Sequence, residues 1–297
     1  MNGFLNINKP AGMSSAAVVG AIKRLTGEKR VGHAGTLDPM AAGVLPIMVG
    51  RATRLFDYLV DKQKEYEAVC AFGAATDTQD ATGRIIETGT DYPDIDRILS
   101  EIPQLTGDIR QKPSMYSAIK VDGQRLYALA RKGKTVDVPE RIVHVESIEI
   151  LGDEPNHGVR IRVACGKGTY IRSICDDLGK LCGCPAHMRS LVRTRSGVFT
   201  KETAITLEEA RELAAEGRLA ERMLLPDHPL GHLKKAEIPE KYAKQVAAGA
   251  KIPAGALREE TGENENLRVY LNGEFWGIMH RDGDMLAWKV QIAPESF

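Results

Sequence analysis

The alternation of hydrophobic and polar positions predicts several short strands in this chain. Residues 3–8 alternate between apolar and polar side chains, and residues 65–73, 144–151 and 159–164 repeat that period of two. Such alternation is typical of strands that bury one face. The polar turn at residues 155–158 predicts that the last two of these strands pair with each other.

Helical periods of three and four residues occur between the predicted strands. The first predicted helix begins after Ser14 or Ser15, which cap it, and ends at Gly27. Its apolar positions are Val18, Val19, Ile22 and Leu25. A capping box, Thr206 to Glu209, predicts the start of another helix. In chain order, the further predicted helices span residues 52–60, 94–102, 124–132, 207–216 and 239–248.

The end of the chain has its own strand-rich pattern. Residues 267–271, 274–279 and 285–290 read as short strands joined by glycine turns. The preceding segment, residues 224–230, contains two prolines and predicts a domain boundary. The pattern indicates a small β-barrel that follows a larger, mixed domain.

One stretch, residues 31–46, stands apart because it holds three glycines, two prolines and a single acid, Asp38. Pro39 disfavours the helical region for Asp38, so its carboxylate lies on extended or turning backbone. A lone carboxylate in tightly turned, apolar surroundings suits chemistry. An ordinary Asp-Pro turn between two elements fits the same residues, and both interpretations remain open at this point.

Composition narrows the class of protein. The chain has 297 residues and 43% hydrophobic residues, enough for a large domain and a small one. No apolar run approaches the roughly 18 residues of a membrane span, and no signal-peptide pattern is present at the start. The five cysteines fit a reducing compartment. These features predict a cytoplasmic protein without a membrane segment.

Metal binding has weak support in the sequence. Cys182, Cys184 and His187 lie close together, but the paired spacing of a zinc site is missing. Residues 75–83 form a polar stretch that lacks the alternating acids of a calcium loop. Ordinary thiols and a polar turn are the favoured interpretations, and the sequence predicts no metal.

Charge is distributed in blocks although the formal net charge is zero. Residues 110–141 carry eight basic and three acidic side chains, and residues 160–195 carry eight and two. Residues 61–109 carry four and eleven. If the basic blocks share a face, that face can bind a phosphate backbone. Solvated charge clusters without a partner explain the pattern equally well.

Three segments then resemble one family. Residues 32–39, Gly-His-Ala-Gly-Thr-Leu-Asp-Pro, followed by Ala-Gly-Val-Leu-Pro, are similar to the active-site motif of the TruB family of tRNA pseudouridine synthases. Residues 111–123 and the Lys-Gly-Thr-Tyr-Ile-Arg segment at 167–172 follow in the family's order. The resemblance implies an α/β (α+β) fold whose catalytic domain has a mixed, largely antiparallel sheet, with a small PUA-like β-barrel at the end.

The resemblance also implies domain limits. It places the catalytic domain at residues 1–230, with an RNA-gripping insertion at about 110–141. The PUA-like RNA-binding domain follows at residues 231–297.

The same resemblance implies the residues of the active site. Asp38 is the catalytic residue, as nucleophile or as base, and Arg172 is the arginine that pairs with it. Tyr66 and Leu191 form aromatic and aliphatic walls of the base pocket. His33 is a candidate RNA contact, with a structural imidazole as the alternative. Outside the pocket, Arg193 and Arg195 are predicted to face RNA from one strand.

The implied reaction is isomerisation of uridine to pseudouridine at position 55 in the T loop of tRNA. It needs no cofactor, because no redox step occurs. The length and the single tail domain resemble those of the stand-alone bacterial enzymes, so no guide RNA is expected, and a monomer is predicted. Two other classes remain: a glycosidase, which normally uses two facing carboxylates, and a non-catalytic PUA-type RNA-binding protein or RNA chaperone.

Overall fold

The computed structural model describes residues 1–59, 63–114, 116, 120–121, 124–126, 129, 136, 138–257 and 261–294. The strands are β1 (Gly3–Lys9), β2 (Val31–His33), β3 (Ala42–Val49), β4 (Lys64–Phe72), β5 (Ala74–Thr76), β6 (Ile85–Thr88), β7 (Gly107–Gln111), β8 (Lys120–Val121), β9 (Gln124–Arg125), β10 (Arg141–Glu154), β11 (Gly158–Cys165), β12 (Ala186–Ser196), β13 (Phe199–Thr200), β14 (Lys234–Ile238), β15 (Ile252–Pro253), β16 (Asn266–Leu271), β17 (Glu274–Asp282) and β18 (Met285–Gln291).

The α-helices whose bounds lie within the described residues are α1 (Ser15–Thr26), α2 (Ile95–Glu101), α3 (Ile171–Leu181), α4 (Leu207–Ala215) and α5 (Ala243–Ala247). Short 3₁₀ helices cover Gly50–Tyr58, Ile102–Leu105, Leu219–Arg222, His228–Leu230, Glu240–Tyr242 and Ala254–Ala256. The predicted caps of α1 are confirmed, because the Ser14 side chain accepts from the Ala17 N–H and Gly27 adopts a left-handed conformation. The capping box of α4 is also present.

The main sheet has the order β1–β3–β12–β4–β11–β10–β7, with β2 paired to β3 and β13 paired to β12. The contact between β12 and β3 is parallel, and the other described pairings in this sheet are antiparallel. The expected mixed, largely antiparallel sheet is therefore confirmed. The predicted pairing of β10 with β11 across residues 155–158 is confirmed as well.

Three predicted helices differ from the structure. The one at 52–60 is a 3₁₀ helix over Gly50–Tyr58. The one at 239–248 is a 3₁₀ turn followed by the five-residue α5. The one at 124–132 begins later than predicted, because Gln124–Arg125 is strand β9, paired with β8, whereas Leu126 and Leu129 are helical. Of its other residues, 127–128 and 130–132 lie outside the described part of the chain.

A second sheet closes the chain, with the order β14–β16–β17–β18–β15. It buries Trp276, Val269 and Leu286 on one side, as expected for a PUA-like unit. On its other side, residues of β17, β18 and the segment after them join a cluster of buried residues from the first part of the chain. That cluster includes Phe4, Val44, Leu55, Ile278, Val290 and Ile292. The two sheets are thus packed against each other through apolar side chains.

Hydrogen bonds support this packing. The Arg51 guanidinium donates to the Ala293 carbonyl at 2.9 Å, and Arg54 donates to the Gln291 carbonyl at 2.8 Å. No helix in the described part of the chain has the length and apolar character needed to cross a bilayer.

The parallel contact between β3 and β12 requires a glycine. Gly43 lies opposite Arg193 in the register and has φ +102°. A Cβ on Gly43 would lie 2.2 Å from the Arg193 carbonyl oxygen, which belongs to backbone that cannot rotate away. Glycine is therefore needed here for both its conformation and its size.

We expect Gly43→Ala to lower the free energy of unfolding by more than about 2 kcal/mol, because it adds backbone overlap to left-handed strain. Urea unfolding followed by circular dichroism measures the change. Gly217→Ala is the matched control: Gly217 also has positive φ, but no heavy atom lies within 4 Å of the place that a Cβ would take, so only the conformational cost of about 1 kcal/mol remains. Equal losses in the two variants would contradict the packing argument.

Candidate active site

Asp38 lies in the loop between β2 and β3, and its backbone is anchored by the first turn of α1. The buried Ser15 hydroxyl accepts from the Leu37 N–H at 2.9 Å and donates to the Leu37 carbonyl at 3.0 Å. The Asp38 side chain remains 36% exposed. The loop therefore presents a carboxylate to the surface from a fixed peptide.

Arg172 reaches Asp38 from the first turn of α3. Its Nε lies 3.0 Å from Asp38 Oδ2, and its side chain is only 4% exposed. The start of α3 is held by the buried Gln111, which accepts from the Tyr170 N–H and donates to the Tyr170 carbonyl. An arginine fixed in this way holds a carboxylate in a defined orientation.

A second acid, Asp80, lies on the other side of the same guanidinium. Asp80 Oδ2 is 3.7 Å from Arg172 Nη1, which also donates to the Thr78 carbonyl at 3.2 Å. Asp80 Oδ1 accepts from the Thr82 hydroxyl at 2.6 Å and from the Thr82 N–H at 2.9 Å. Arg172 is thus clamped between two carboxylates, of which only Asp38 lines the cleft.

Asp80 was not predicted as a site residue, because the sequence of residues 75–83 indicates a polar turn. The turn is real, since the hydrogen bonds of Asp80 to Thr78 and Thr82 are local. The contact with Arg172, which is distant in the sequence, cannot be predicted from the local pattern. Burial of the Asp80 side chain is the tertiary signal that separates it from an ordinary turn acid.

We expect Asp80→Asn to slow turnover by about 10-fold to 100-fold, because loss of one charge loosens the orientation of Arg172. The rate of the reaction in this cleft, followed under single-turnover conditions, measures the effect. Asp77→Asn is the control, since Asp77 belongs to the same turn but binds the exposed Arg84. Wild-type turnover in Asp80→Asn would show that the charge of Asp80 is not needed to orient Arg172.

The walls of the cleft come from two neighbouring strands. Tyr66 on β4 and Leu191 on β12 are both 7% exposed. Tyr66 pairs with Arg193, and Leu191 pairs with Ala68, so both side chains stand on the same face of the sheet. The cleft is lined by Thr36, Leu37, Asp38, Lys64, Tyr66, Gly168, Thr169, Tyr170, Ile171, Arg172 and Leu191. The structure therefore brings four of the five predicted site residues to one cleft.

The electrostatics of the cleft favour a weakly solvated carboxylate. Burial raises the pKa of Asp38, and the nearby Asp80 adds to that effect, while Arg172 and Lys9 oppose it. Burial also raises the pKa of the Tyr66 phenol, against an opposing effect of Arg193. The phenol is thus protonated at neutral pH and keeps its O–H as a hydrogen-bond donor.

Lys9 supports the loop from the far side of Asp38. Its buried ammonium donates to the carbonyls of Pro10 at 2.9 Å, Met13 at 2.5 Å and Pro39 at 3.2 Å. Burial lowers the pKa of Lys9 to about 8, with Asp38 opposing and Arg193 adding to that shift. These contacts give Lys9 a structural role in holding the loop.

His33 and Arg193 lie apart from the cleft lining. The His33 Nδ1 is buried and has no hydrogen-bond partner within the described residues. Burial lowers the pKa of His33, and the charge of Arg193 lowers it further, so the imidazole is neutral at pH 7. Arg193 is fully buried; the prediction that it faces RNA is wrong, because its guanidinium binds backbone carbonyls inside the fold.

The cysteine-rich segment has ordinary contacts. Cys182 and Cys184 are buried thiols, and His187 Nδ1 lies 2.8 Å from the Ala74 carbonyl oxygen. Within the described ranges, no three His, Cys, Asp or Glu side chains are grouped as a metal ion would require.

Comparison with known proteins places this cleft in a family. The family model described as TruB family pseudouridylate synthase (N terminal domain) matches residues 23–171. A curated tRNA pseudouridine synthase B from Alkaliphilus oremlandii is 42% identical over 284 residues, which cover 94% of this chain and 92% of the relative. The chain belongs to the TruB family. The resemblance stated from its motifs is confirmed.

Further matches extend the TruB assignment over most of the chain. A second model, tRNA pseudouridylate synthase B C-terminal domain, matches residues 172–228. A curated tRNA pseudouridine synthase B from Geobacillus thermodenitrificans is 42% identical over 290 residues, covering 91% of this chain and 95% of the relative. A chain in the structure of a Cbf5-Nop10-Gar1 complex superposes with a TM-score of 0.75 at 27% identity, covering 99% of this chain and 86% of that one.

Proposed function

We propose that this chain isomerises uridine to pseudouridine in tRNA, at position 55 of the T loop. The observation that carries the proposal is the Asp38–Arg172 ion pair. Both residues line a cleft whose walls include Tyr66 and Leu191. Relatives that share about two fifths of the sequence are named tRNA pseudouridine synthase B. The site and the names of these relatives support the same reaction.

The reaction needs a target nucleotide turned out of its loop. Uracil then enters the cleft between the Tyr66 ring and the Leu191 side chain, which replace stacking and exclude water. Asp38 acts on the ribose, as nucleophile or as base. Arg172 keeps Asp38 ionised and oriented.

The atoms balance without any added reagent. The bond from ribose C1′ to uracil N1 breaks, the base turns, and a bond from C1′ to C5 forms. C5 loses its proton and N1, freed from the ribose, takes up a proton, so nothing is oxidised or reduced. A single ionised carboxylate with an orienting arginine is sufficient for this sequence of steps.

The remaining assignments belong to the same proposal. The catalytic domain spans residues 1–230 and the PUA-like domain spans 231–297. The insertion at about 110–141 grips the T stem-loop; three of its basic residues, Arg131, Lys132 and Lys134, lie outside the described residues. The protein acts in the cytoplasm as a monomer, without guide RNA, and His33 contacts the RNA as a neutral imidazole.

The rival classes fit the site less well. A glycosidase needs two carboxylates that face each other across the bond to be broken. Asp80 is a second acid, but it is buried and bonded to Thr82 on the far side of Arg172. A purely RNA-binding protein has no use for an oriented, weakly solvated carboxylate at the base of a cleft.

Release of tritium from C5 of uracil tests the proposal directly. We expect the purified protein to release tritium from a labelled T-stem-loop RNA, because C5 loses its proton when the new bond forms. A stem-loop with cytidine at the target position is the matched control and should release none from that site. RNA binding without release would favour the non-catalytic alternative.

A further inference from the structure

Arg193 lies next to the cleft, on the same face of the sheet as Tyr66 and Leu191. Its side chain is completely buried on β12. Nε donates to the Val44 carbonyl at 2.7 Å, Nη2 donates to the Gly35 carbonyl at 3.2 Å, and Nη1 donates to the Thr36 carbonyl at 3.4 Å. One guanidinium therefore joins backbone on both sides of Asp38.

This guanidinium donates to carbonyls, and it also forms a side-chain hydrogen bond with the Tyr66 phenol, whose raised pKa it opposes. No carboxylate of the described residues lies within ion-pair distance of Arg193, whereas Arg172 has two. Burying an arginine without a carboxylate is costly, and carbonyl dipoles only partly offset that cost. The planar fork of the guanidinium is what allows three separate carbonyls to be bound at once.

The backbone of Arg193 contacts the same region as its side chain. It lies opposite Gly43 in the parallel contact with β3 and opposite Tyr66 in the antiparallel contact with β4. Arg193 therefore contacts both ends of the Asp38 loop and also pairs with Tyr66, the aromatic wall of the cleft. A shift of Arg193 would displace Asp38 relative to Tyr66.

We propose that Arg193 is a positioning residue: it acts through the 35–44 loop backbone to hold Asp38 at the geometry needed for reaction. The inference rests on the proposed function. Arg193 does not line the cleft, so it does not touch the base. Its three carbonyl contacts lie on the backbone that flanks Asp38, so Arg193 acts on the position of the carboxylate.

Full-length Arg193→Met and Arg193→Lys test this role in single-turnover tritium release, with stem-loop binding measured separately. We expect Arg193→Met to lower the maximal rate by about 100-fold, because a displacement near 1 Å has that effect on aligned groups. Arg193→Lys should recover part of the loss, because an ammonium reaches fewer carbonyls than a guanidinium. RNA affinity and the pH midpoint of the acid limb should stay at wild-type values.

Arg189→Met is the matched control. Arg189 lies on the same strand and also donates to two backbone carbonyls, those of Pro155 and Asn156, in the turn between β10 and β11. The Arg189→Met variant should have a lower free energy of unfolding, while its maximal rate stays at the wild-type value. Circular dichroism at the assay temperature separates a slower folded enzyme from a smaller folded fraction, and Arg193→Lys decides the matter if Arg193→Met does not fold.

Three results would overturn the role of Arg193. They are a wild-type rate in the folded variants, a loss fully explained by unfolded protein, and an acid limb that moves with the substitution. In each of these cases the wild-type protein still releases tritium, so the proposed function stands. Absence of release from the wild-type protein would instead overturn the proposed function, and this inference with it.

Discussion

Asp38→Ala is expected to abolish isomerisation, with turnover reduced by more than about 10⁴-fold, because removal of a group that acts on the reacting bond is rarely compensated. Affinity for the T stem-loop should be largely retained, since the neighbouring cleft walls and basic surfaces are unchanged. Tritium release and a filter-binding titration on the same RNA measure the two quantities. Arg172 keeps Asp80 as a charge partner in this variant, so folding should survive.

The matched control is Asp91→Ala, whose side chain is 84% exposed and lies 3.8 Å from Arg97. It removes one carboxylate from the surface and should leave turnover unchanged. Normal turnover by Asp38→Ala would remove the proposed mechanism. Loss of RNA binding together with turnover would move Asp38 from the chemistry to RNA recognition.

Arg172→Met is expected to slow turnover at neutral pH by about 100-fold and to shift the acid limb upward by about 1 to 3 pH units. Asp38 must be ionised to act, so the rate falls as pH drops through its pKa in the folded protein. Burial already raises that pKa, and Arg172 is the largest effect opposing the rise. Without Arg172 the pKa rises further, and activity is lost at a higher pH.

A pH series of single-turnover rates measures the shift. Arg211→Met is the control, because Arg211 is half exposed and its nearest acid, Glu208, is 3.9 Å away on the surface of α4. An acid limb that stays in place in Arg172→Met would show that another group sets the ionisation of Asp38. A shift to lower pH would contradict the sign of the argument.

Much of the fold followed from local pattern. The period of two identified β4, β10 and β11, and the capping residues located α1 and α4. These features depend on nearest neighbours along the chain, which is why sequence alone was sufficient for them. The fold class and the Asp38 motif followed from the family resemblance rather than from periodicity.

The contacts of the arginines did not follow from local pattern. Arg193 and Arg195 alternate on one strand, and nothing in that spacing distinguishes a buried guanidinium from one that faces solvent. Arg193 is buried because β12 lies between β3 and β4 in the sheet, which is a property of topology. A sequence signal for β8 and β9 was available, because the Asp-Gly dipeptide at positions 122–123 is typical of hairpin turns.

The position of β12 in the sheet also has a consequence for biosynthesis. Asp38 and Arg193 are separated by 155 positions in the chain, and Asp38 and Arg172 by 134. The ribosome must therefore synthesise most of β12 before the Asp38 loop can form its contacts with Arg172 and Arg193. Long-range closure of this kind is slow relative to local helix formation. Truncated products that end before β12 will carry the complete Asp38 motif but lack Leu191 and Arg193, so we expect them to be inactive.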